Sequence, residues 1–369
     1  MAEKRDKTKA ASKPQPTPPV LLDLLAARGP SGYESAPTAV WLKAASAFAQ
    51  VSSDTVGTPL AIVPPKHGFD VSPRRLMVMG HIDEIGLIVT HIDDEGYLWF
   101  REVGGWDAQI LVGQRVVIDT RNGPVKGVVG KKPIHLLRDE DRKKVQDIRE
   151  MHIDIGAKDG KETRELVRIG DVAVIDAEPL ELPNGRLASR ALDNRLGSFV
   201  ALEVARIVAE AGGGEWELAA VAAAQEEITF GGSRTSSFSL EPDAAIVVDV
   251  THATDAPGID IKDAGKHEFG SGPVITRGST VNEGMFELLY ETAEQEKIPF
   301  TVEASSRATG TDLDAVNVSR GGVPTGLVSI PLRYMHSPVE MVQLEDVHAT
   351  ARLIAAAALR IEREAKLPH

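Results

Sequence analysis

The sequence contains no cysteine, which excludes disulfide bonds, thiolate metal sites and cysteine nucleophiles. It has no apolar run near the roughly 20 residues that a membrane-spanning helix needs. The first nineteen residues also lack the apolar stretch of a signal peptide. Because cysteine is absent, any metal must be held by His, Asp or Glu side chains. We expect a cytoplasmic protein that does not bind membranes.

Basic charge is also in short supply. The 41 Lys and Arg residues are outnumbered by 54 Asp and Glu residues, which leaves a net charge of −13. A domain that binds a phosphate backbone normally carries a basic face. The charge balance therefore argues against nucleic acid as a partner.

The overall composition is typical of a globular protein, with 42% hydrophobic and 26% charged residues. The 369 residues exceed what one core usually needs, so we expect two domains. Residues 1–19 are rich in Lys, Ala and Pro and are predicted to form a disordered tail.

Short apolar runs alternate with long helical patterns over most of the remaining chain. Buried strands are predicted at 76–79, 218–224, 244–248 and 326–330, and helices at 20–28, 34–49, 192–211, 281–296 and 344–365. Strands that alternate with helices favour a mostly parallel sheet covered on both faces. We therefore predict an α/β catalytic domain built from residues 20–90 and 183–369.

Residues 91–182 interrupt this alternation with short strands separated by turns that contain glycine. The clearest pattern is a hairpin, with strands at 115–120 and 124–129 on either side of Arg121-Asn122-Gly123. An insertion at an exposed loop is well tolerated, because the termini of a compact domain often lie close together. We predict that residues 91–182 form a small inserted domain resembling a β-barrel.

Histidines and carboxylates are concentrated in five short segments, most of which follow a predicted strand. The segments contain His81 with Asp83, Asp193, Glu226 with Glu227, Asp249, and His336. In an open α/β sheet, ligands bind outside the carboxyl ends of the strands. We therefore expect the five segments to converge on one crevice.

This set of side chains suits the hydrolysis of an amide bond by two metal ions. A metal pair polarises the carbonyl and activates a bridging water as the nucleophile, and aminopeptidases are among the enzymes that use such pairs. The candidate ligands are His81, Asp193, Glu227, Asp249 and His336. Asp83 is placed to accept the other N–H of His81, and Glu226 remains free to act as general base. Such ligands suit zinc, cobalt and manganese.

Each of these residues also has a simpler structural interpretation when it is considered alone. His81 and His336 suit hydrogen-bonded structural histidines, Asp193 suits a helix N-cap, and an adjacent pair of glutamates is usually solvated. The remaining histidines are assigned to structural or surface positions, and His252 and His135 are the leading candidates for a different role. The combination of segments, and no single residue, favours a metal site.

In their combination and order, the segments resemble the tetrahedral, or TET-type, aminopeptidases, which include glutamyl and deblocking aminopeptidases. The matching motifs are Gly-His-x-Asp-Glu-Ile-Gly at 80–86, Ala-Leu-Asp-x-Arg-x-Gly at 191–197, Gln-Glu-Glu at 225–227, Asp at 249 and Arg-Tyr-x-His-Ser at 333–337. Pro-Ser-Gly-x-Glu at 30–34 and Gly-Thr-Asp at 310–312 also match. The resemblance extends over nearly the whole chain.

The resemblance implies a zinc-peptidase-like fold and a dinuclear metalloaminopeptidase that acts on peptides with free N-termini. It implies one zinc or cobalt ion on His81, Asp193 and Asp249, a second on Asp193, Glu227 and His336, Glu226 as the base, and Asp83 orienting His81. The inserted domain would be PDZ-like and would mediate dimers. Six such dimers would assemble into a hollow homo-oligomer, a dodecamer.

Other functions remain open from the residues themselves. An endoglucanase-type glycosidase would use two carboxylates about 5–9.5 Å apart and no metal, and it would leave the His and Asp motifs unexplained. A catalytically silent scaffold would bind peptide termini through the β-rich domain. A related dinuclear carboxypeptidase or deacylase would act on C-terminal or blocked substrates.

Overall fold

The computed structural model describes residues 16–68 and 73–368. The tail predicted for residues 1–19 lies outside this part of the chain except for residues 16–19, and Pro19 begins the first helix. Among the described residues, no helix is both long enough and apolar enough to cross a membrane.

Helices and strands alternate through most of the described chain. The helices are α1 (Pro19–Ala26), α2 (Ser35–Ala45), α3 (Ala108–Leu111), α4 (Gly160–Leu166), α5 (Leu192–Glu210), α6 (Glu226–Thr229), α7 (Gly231–Leu240), α8 (Ile261–Ala264), α9 (Glu283–Glu296), α10 (Leu313–Val316) and α11 (Leu344–Arg360). The strands are β1 (Gln50–Ser53), β2 (Pro59–Val63), β3 (Arg75–His81), β4 (Gly86–Ile92), β5 (Leu98–Val103), β6 (Arg115–Thr120), β7 (Gly123–Gly130), β8 (His152–Asp154), β9 (Val172–Ile175), β10 (Leu180–Leu182), β11 (Arg186–Ser189), β12 (Glu217–Ala223), β13 (Ala244–His252), β14 (Val274–Gly278), β15 (Thr301–Ser305), β16 (Thr325–Arg333) and β17 (Glu340–Gln343).

A large open sheet forms the centre of the α/β part of the chain. Its strand order is β1-β2-β12-β3-β13-β16-β17-β11-β10, and β14 and β15 extend it beside β16. The four central strands, β12, β3, β13 and β16, are parallel to one another. The predicted α/β fold is thereby confirmed. Antiparallel strands extend the sheet on both sides of this parallel centre, and the sequence patterns did not identify them.

The parallel centre is where the sequence pattern was strongest. Every residue of β12 is buried, as is every residue of β13 up to Val250. Such strands consist of almost uninterrupted apolar residues because both faces of the sheet are covered. β13 continues past the predicted end to His252, since it pairs with β16 as far as Leu332.

Helix α5 packs closely against the end of β3. A Cβ atom on Gly80 would lie 2.3 Å from the carbonyl carbon of Gly197, so only glycine at position 80 permits this approach. The two residues belong to two of the motifs identified in the sequence. Their contact brings the end of β3, which carries His81, next to the first turn of α5, which carries Asp193.

Strands β4 to β9 form a separate closed barrel in the order β4-β5-β8-β7-β6-β9. Its own core contains Leu87, Phe100 and Ile118. The predicted hairpin is β6 and β7, which pair from Arg115 opposite Val128 to Thr120 opposite Gly123. The predicted β-barrel is confirmed, but its strands extend from Gly86 to Ile175 and not over 91–182. β10 (Leu180–Leu182) pairs with β11 in the large sheet and lies outside the barrel.

Candidate metal centre

The residues predicted to carry the chemistry lie at one edge of the sheet. His81 ends β3, Asp249 lies in the last part of β13, and Glu226 and Glu227 follow β12 in the first turn of α6. His336 lies in the loop between β16 and β17. The carboxyl ends of parallel strands meet at the same edge, and the structure brings all of these side chains together there.

Asp193 lies at the centre of this cluster. Its Oδ1 atom is 3.2 Å from Nε2 of His81, and its Oδ2 atom is 3.4 Å from Nε2 of His336. Nε2 of His336 is also 3.6 Å from Oε1 of Glu227. One carboxylate therefore faces two imidazoles, one with each oxygen, which is the arrangement that a bridging ligand requires.

The side chains form overlapping groups whose potential ligand atoms lie within 4.8 Å of one another. The groups are His81, Asp193 and Asp249; Asp193, Glu227 and His336; and His81, Glu226 and Glu227. The first two share Asp193 and are the two trios that the family resemblance implied. The third contains Glu226, so position alone does not separate the expected base from the ligands.

The charges in the cluster fit a cation. Burial and neighbouring carboxylates raise the pKa of Glu226, Glu227 and Asp249, although the imidazole of His81 opposes the shift. The Asp193 carboxylate, in turn, raises the pKa of His336 to about 9. Buried carboxylates that repel one another are stabilised by a bound cation. Imidazole and carboxylate donors are also the ligand types that zinc and cobalt accept.

Asp83 connects three parts of the site. Its Oδ1 accepts the backbone N–H of Glu226 at 3.0 Å, and its Oδ2 accepts the backbone N–H of Glu227 at 3.2 Å and the Ser31 hydroxyl at 2.7 Å. Oδ1 is 3.4 Å from Nδ1 of His81, which is an ion-pair contact longer than a normal hydrogen bond. The residue predicted to orient His81 therefore also holds the Glu226-Glu227 turn.

The opening motif at 30–34 supports the same turn. Ser31 donates to Asp83, and Oε1 of Glu34 accepts the backbone N–H of Gln225 at 3.0 Å. Burial, together with the nearby Asp83 carboxylate, raises the pKa of Glu34 to about 7. The motif thus contributes to the position of the acidic turn from outside the ligand set.

Two further motif residues form a buried ion-pair network under the site. Glu84 accepts hydrogen bonds from Arg190 and, at 2.7 Å, from Nη2 of Arg195. Arg195 is 0% exposed, and its Nη1 donates to the carbonyl of Leu24 at 2.6 Å. The network ties the loop after β3 to the start of α5 and the end of α1. These motif residues are structural.

The cluster opens into a crevice of about 670 Å³. Its lining includes the apolar side chains of Phe230 and Met335 as well as Glu303 and Arg307. His252, which the sequence analysis assigned to a structural or surface position, is exposed and also lines this crevice. The crevice provides a path from solvent to the candidate ligands.

Other residues near the crevice are scaffold. A Cβ atom on Gly232 would lie 2.4 Å from the backbone nitrogen of Ala224, so this glycine permits close packing. Arg333 forms a salt bridge with Asp255, and its guanidinium lies 4.1 Å from the ring centroid of Phe269. Gly232 and Arg333 therefore serve in packing.

Glu340 is a residue of the site that the sequence motifs do not identify. Its carboxylate is 2% exposed and accepts the backbone N–H groups of Asp193 and His336. A signal was present, because Glu340 follows His336 by four residues at the start of a short strand.

The chain is similar to known proteins over most of its length. The sequence profile described as M42 glutamyl aminopeptidase matches residues 61–353. The chain belongs to the M42 glutamyl aminopeptidase family. This membership makes it a metalloaminopeptidase, a hydrolase that acts on peptide bonds, and confirms the resemblance found in the sequence.

Individual M42 relatives match over most of the chain. A lysyl aminopeptidase of Pyrococcus furiosus is 36% identical over 311 residues, which cover 83% of this chain and 86% of that protein. A TET aminopeptidase structure from Thaumarchaeota archaeon SCGC AB-539-E09 is 35% identical, covers 94% and 96% of the two chains and has a TM-score of 0.88. The TET1 peptidase of Pyrococcus horikoshii, which can assemble into a tetrahedron or a large octahedral shell, is 29% identical, with coverage of 92% and 98% and a TM-score of 0.79.

Proposed function

We propose that this M42 peptidase removes N-terminal residues from peptides with a pair of divalent metal ions. The observation that supports this proposal most directly is the position of Asp193, whose two carboxylate oxygens face the imidazoles of His81 and His336. Two ligand trios that share one carboxylate match the ligand set of a two-metal hydrolase.

The proposed ligands follow from the two trios. One ion is assigned to His81, Asp193 and Asp249, and the other to Asp193, Glu227 and His336. We propose zinc or cobalt, with manganese as a further possibility, because imidazole and carboxylate donors suit all three. When bound, such a pair polarises the peptide carbonyl and lowers the pKa of a bound water.

Glu226 is the proposed general base. Its side chain is 9% exposed, and its Oε2 atom lies 3.7 Å from Nε2 of His81. Burial raises the pKa of this carboxyl group, so it binds a proton more strongly than an exposed glutamate does. Glu226 would take a proton from the attacking water and deliver it to the leaving amine. Asp83 accepts the backbone N–H of Glu226 and would keep this residue in position.

The excess of carboxylates also supports attack at chain ends. A free α-amine is positively charged near neutral pH, and Glu303, an acidic side chain of the crevice that belongs to neither trio, can receive it. A blocked N-terminus has no such charge. We therefore expect cleavage of peptides with free N-termini and no cleavage of their N-acetylated forms.

The test uses the metal-free protein and a panel of chromogenic aminoacyl substrates. Activity that appears only after addition of zinc, cobalt or manganese, together with two bound ions per chain, would support the proposal. Equal cleavage of a peptide and its N-acetylated form would indicate a deacylase or carboxypeptidase. Activity on glucans that resists chelation would indicate a glycosidase, and no activity with any metal would indicate a silent scaffold.

We also propose that residues 91–182 mediate dimers that assemble into a dodecamer in the cytoplasm. Three large apolar side chains between β7 and β8, Ile134, Leu136 and Val145, are 56%, 66% and 60% exposed, which suits an interface. The TET1 relative can assemble into a tetrahedron or a large octahedral shell. Light scattering should give twelve times the chain mass of 39.6 kDa, and Leu136→Asp should lower this mass. A monomer at all concentrations would contradict the proposal.

A further inference from the structure

Glu340 joins two elements that carry candidate ligands. Its Oε2 atom accepts the backbone N–H of Asp193 at 3.0 Å, and its Oε1 atom accepts the backbone N–H of His336 at 2.9 Å. Asp193 lies in the first turn of α5, and His336 lies in the loop after β16. A single carboxylate therefore ties these two positions together, although they are far apart in the sequence.

The loop that carries His336 needs such a tie. The φ angle of His336 is 59° and that of Tyr334 is 60°, so two non-glycine residues lie in the left-handed region. This conformation is uncommon for side-chain-bearing residues and persists when the surroundings hold it. The hydrogen bond from the His336 backbone to Glu340 is a contact that holds it.

The buried position of the Glu340 carboxylate is unfavourable unless hydrogen bonds compensate for the loss of water. The residue is 2% exposed, and burying a carboxylate requires compensating hydrogen bonds. Both of its oxygens accept hydrogen bonds from backbone N–H groups. Among the described residues, the groups of side chains that could hold a metal ion do not include Glu340. Its carboxylate therefore acts on the ligands through their backbones and stays off the metal positions.

We propose that Glu340 is a positioning residue for the metal pair, because its two oxygens set the separation of Asp193 and His336. Oδ2 of Asp193 lies 3.4 Å from Nε2 of His336, and these atoms belong to the trio assigned to the second ion. Loss of either hydrogen bond would let the backbone at Asp193 or at His336 move, and this would change the separation directly. The trio of His81, Asp193 and Asp249 would be affected through Asp193 alone.

The substitution Glu340→Gln tests this role with almost no change in volume. A carboxylate accepts with both oxygens, whereas an amide has one acceptor oxygen and one NH₂ donor. The amide oxygen can accept a hydrogen bond from one of the two backbone N–H groups. The NH₂ group then faces the other N–H group, and two donors repel each other. The matched control is Glu345→Gln, because the Glu345 side chain is 58% exposed and pairs with Arg352 on the surface of α11.

The measurement is zinc binding to the metal-free chain, by competition with a chromogenic chelator. Because the role assigned to Glu340 depends on the proposed metal pair, ion binding is measured instead of turnover. In Glu340→Gln we expect the second ion to bind about 10–100-fold more weakly, while the first ion is held closer to wild-type affinity. Glu345→Gln should bind both ions as the wild type does.

Two outcomes separate this inference from the proposed function. A wild-type chain that binds no pair of ions would remove the proposed function itself. A wild-type chain that binds two ions, with unchanged affinities in folded Glu340→Gln, would overturn the role of Glu340 alone. If Glu340→Gln does not fold, Glu340→Asp provides a second test, because it keeps the charge but has a shorter side chain. This variant should also bind the second ion more weakly. Unchanged ion affinities in Glu340→Asp, or failure of both variants to fold without metal, would overturn the inference.

Discussion

The carboxylate of Asp83 accepts the backbone N–H of Glu226 at 3.0 Å. The same carboxylate accepts the N–H of Glu227 and contacts the imidazole of His81. The proposed base, one proposed ligand and the imidazole of another therefore share one anchor. Displacement of this anchor would disturb proton transfer and ion binding together, and this coupling is open to experiment.

Asp83→Asn should lower kcat/KM by about 10–100-fold, the usual cost of losing an outer partner of a metal ligand. The amide has one acceptor oxygen where the carboxylate serves two backbone N–H groups and the Ser31 hydroxyl. Steady-state kinetics with a free-amine substrate provides the measurement. Asp94→Asn is the control, because the Asp94 side chain is 95% exposed. Wild-type kinetics in Asp83→Asn would contradict the anchoring role.

Substitution of the adjacent glutamates should have different consequences. Glu226→Gln should lower kcat by about 10²–10⁴-fold with both ions still bound, since it removes the proton acceptor. Glu227→Gln should instead lower the metal content, because Glu227 belongs to the trio with Asp193 and His336. Element analysis of both variants beside their kinetics distinguishes the roles. Full turnover in Glu226→Gln would remove this residue from the mechanism.

Gly80→Ala should destabilise the fold by about 1–3 kcal/mol, the usual cost of overpacking. The added Cβ would lie 2.3 Å from the carbonyl carbon of Gly197, and a backbone atom cannot move aside without shifting α5. Metal affinity should fall as well, because α5 carries Asp193. Urea denaturation compares this variant with Gly321→Ala, whose Cβ meets no heavy atom within 4 Å. Equal stability of the two variants would mean that β3 and α5 are less closely packed.

Glu84→Gln should destabilise the protein at pH 7 by about 3–5 kcal/mol, the usual cost of breaking a buried ion pair. Burial acts to raise the pKa of Glu84, but Arg190 and Arg195 outweigh it and hold this pKa below its ordinary value. A lowered folded-state pKa stabilises the protein above the unfolded value near 4.3, and this stabilisation is lost as pH falls through the folded pKa.

The difference between wild type and Glu84→Gln should therefore be largest near neutral pH and shrink in acid. Urea denaturation of the metal-free proteins at several pH values measures it, with Glu102→Gln on the exposed surface of the barrel as control. A constant difference at every pH would show that the ion pair is not the source of the stability.

Sequence patterns were sufficient to predict the α/β alternation, the central strands and the hairpin of the barrel. These are local properties, because strand and helix periodicity and turn residues act between neighbours in the chain. Sequence patterns also identified the candidate ligands, since the ends of parallel strands share one edge of the sheet. The edge strands were missed, because an antiparallel edge is selected by its partner and not by its own composition.

The contacts between individual atoms of the site could not be predicted from these patterns. Oδ1 of Asp193 faces His81 and Oδ2 faces His336, from segments more than 100 residues apart on either side. Glu340 begins β17, which pairs with β11 and β16, so its contacts with both ligand backbones depend on this pairing. Side-chain patterns carry no record of backbone hydrogen bonds between distant segments, because such bonds depend on the packing of the whole domain.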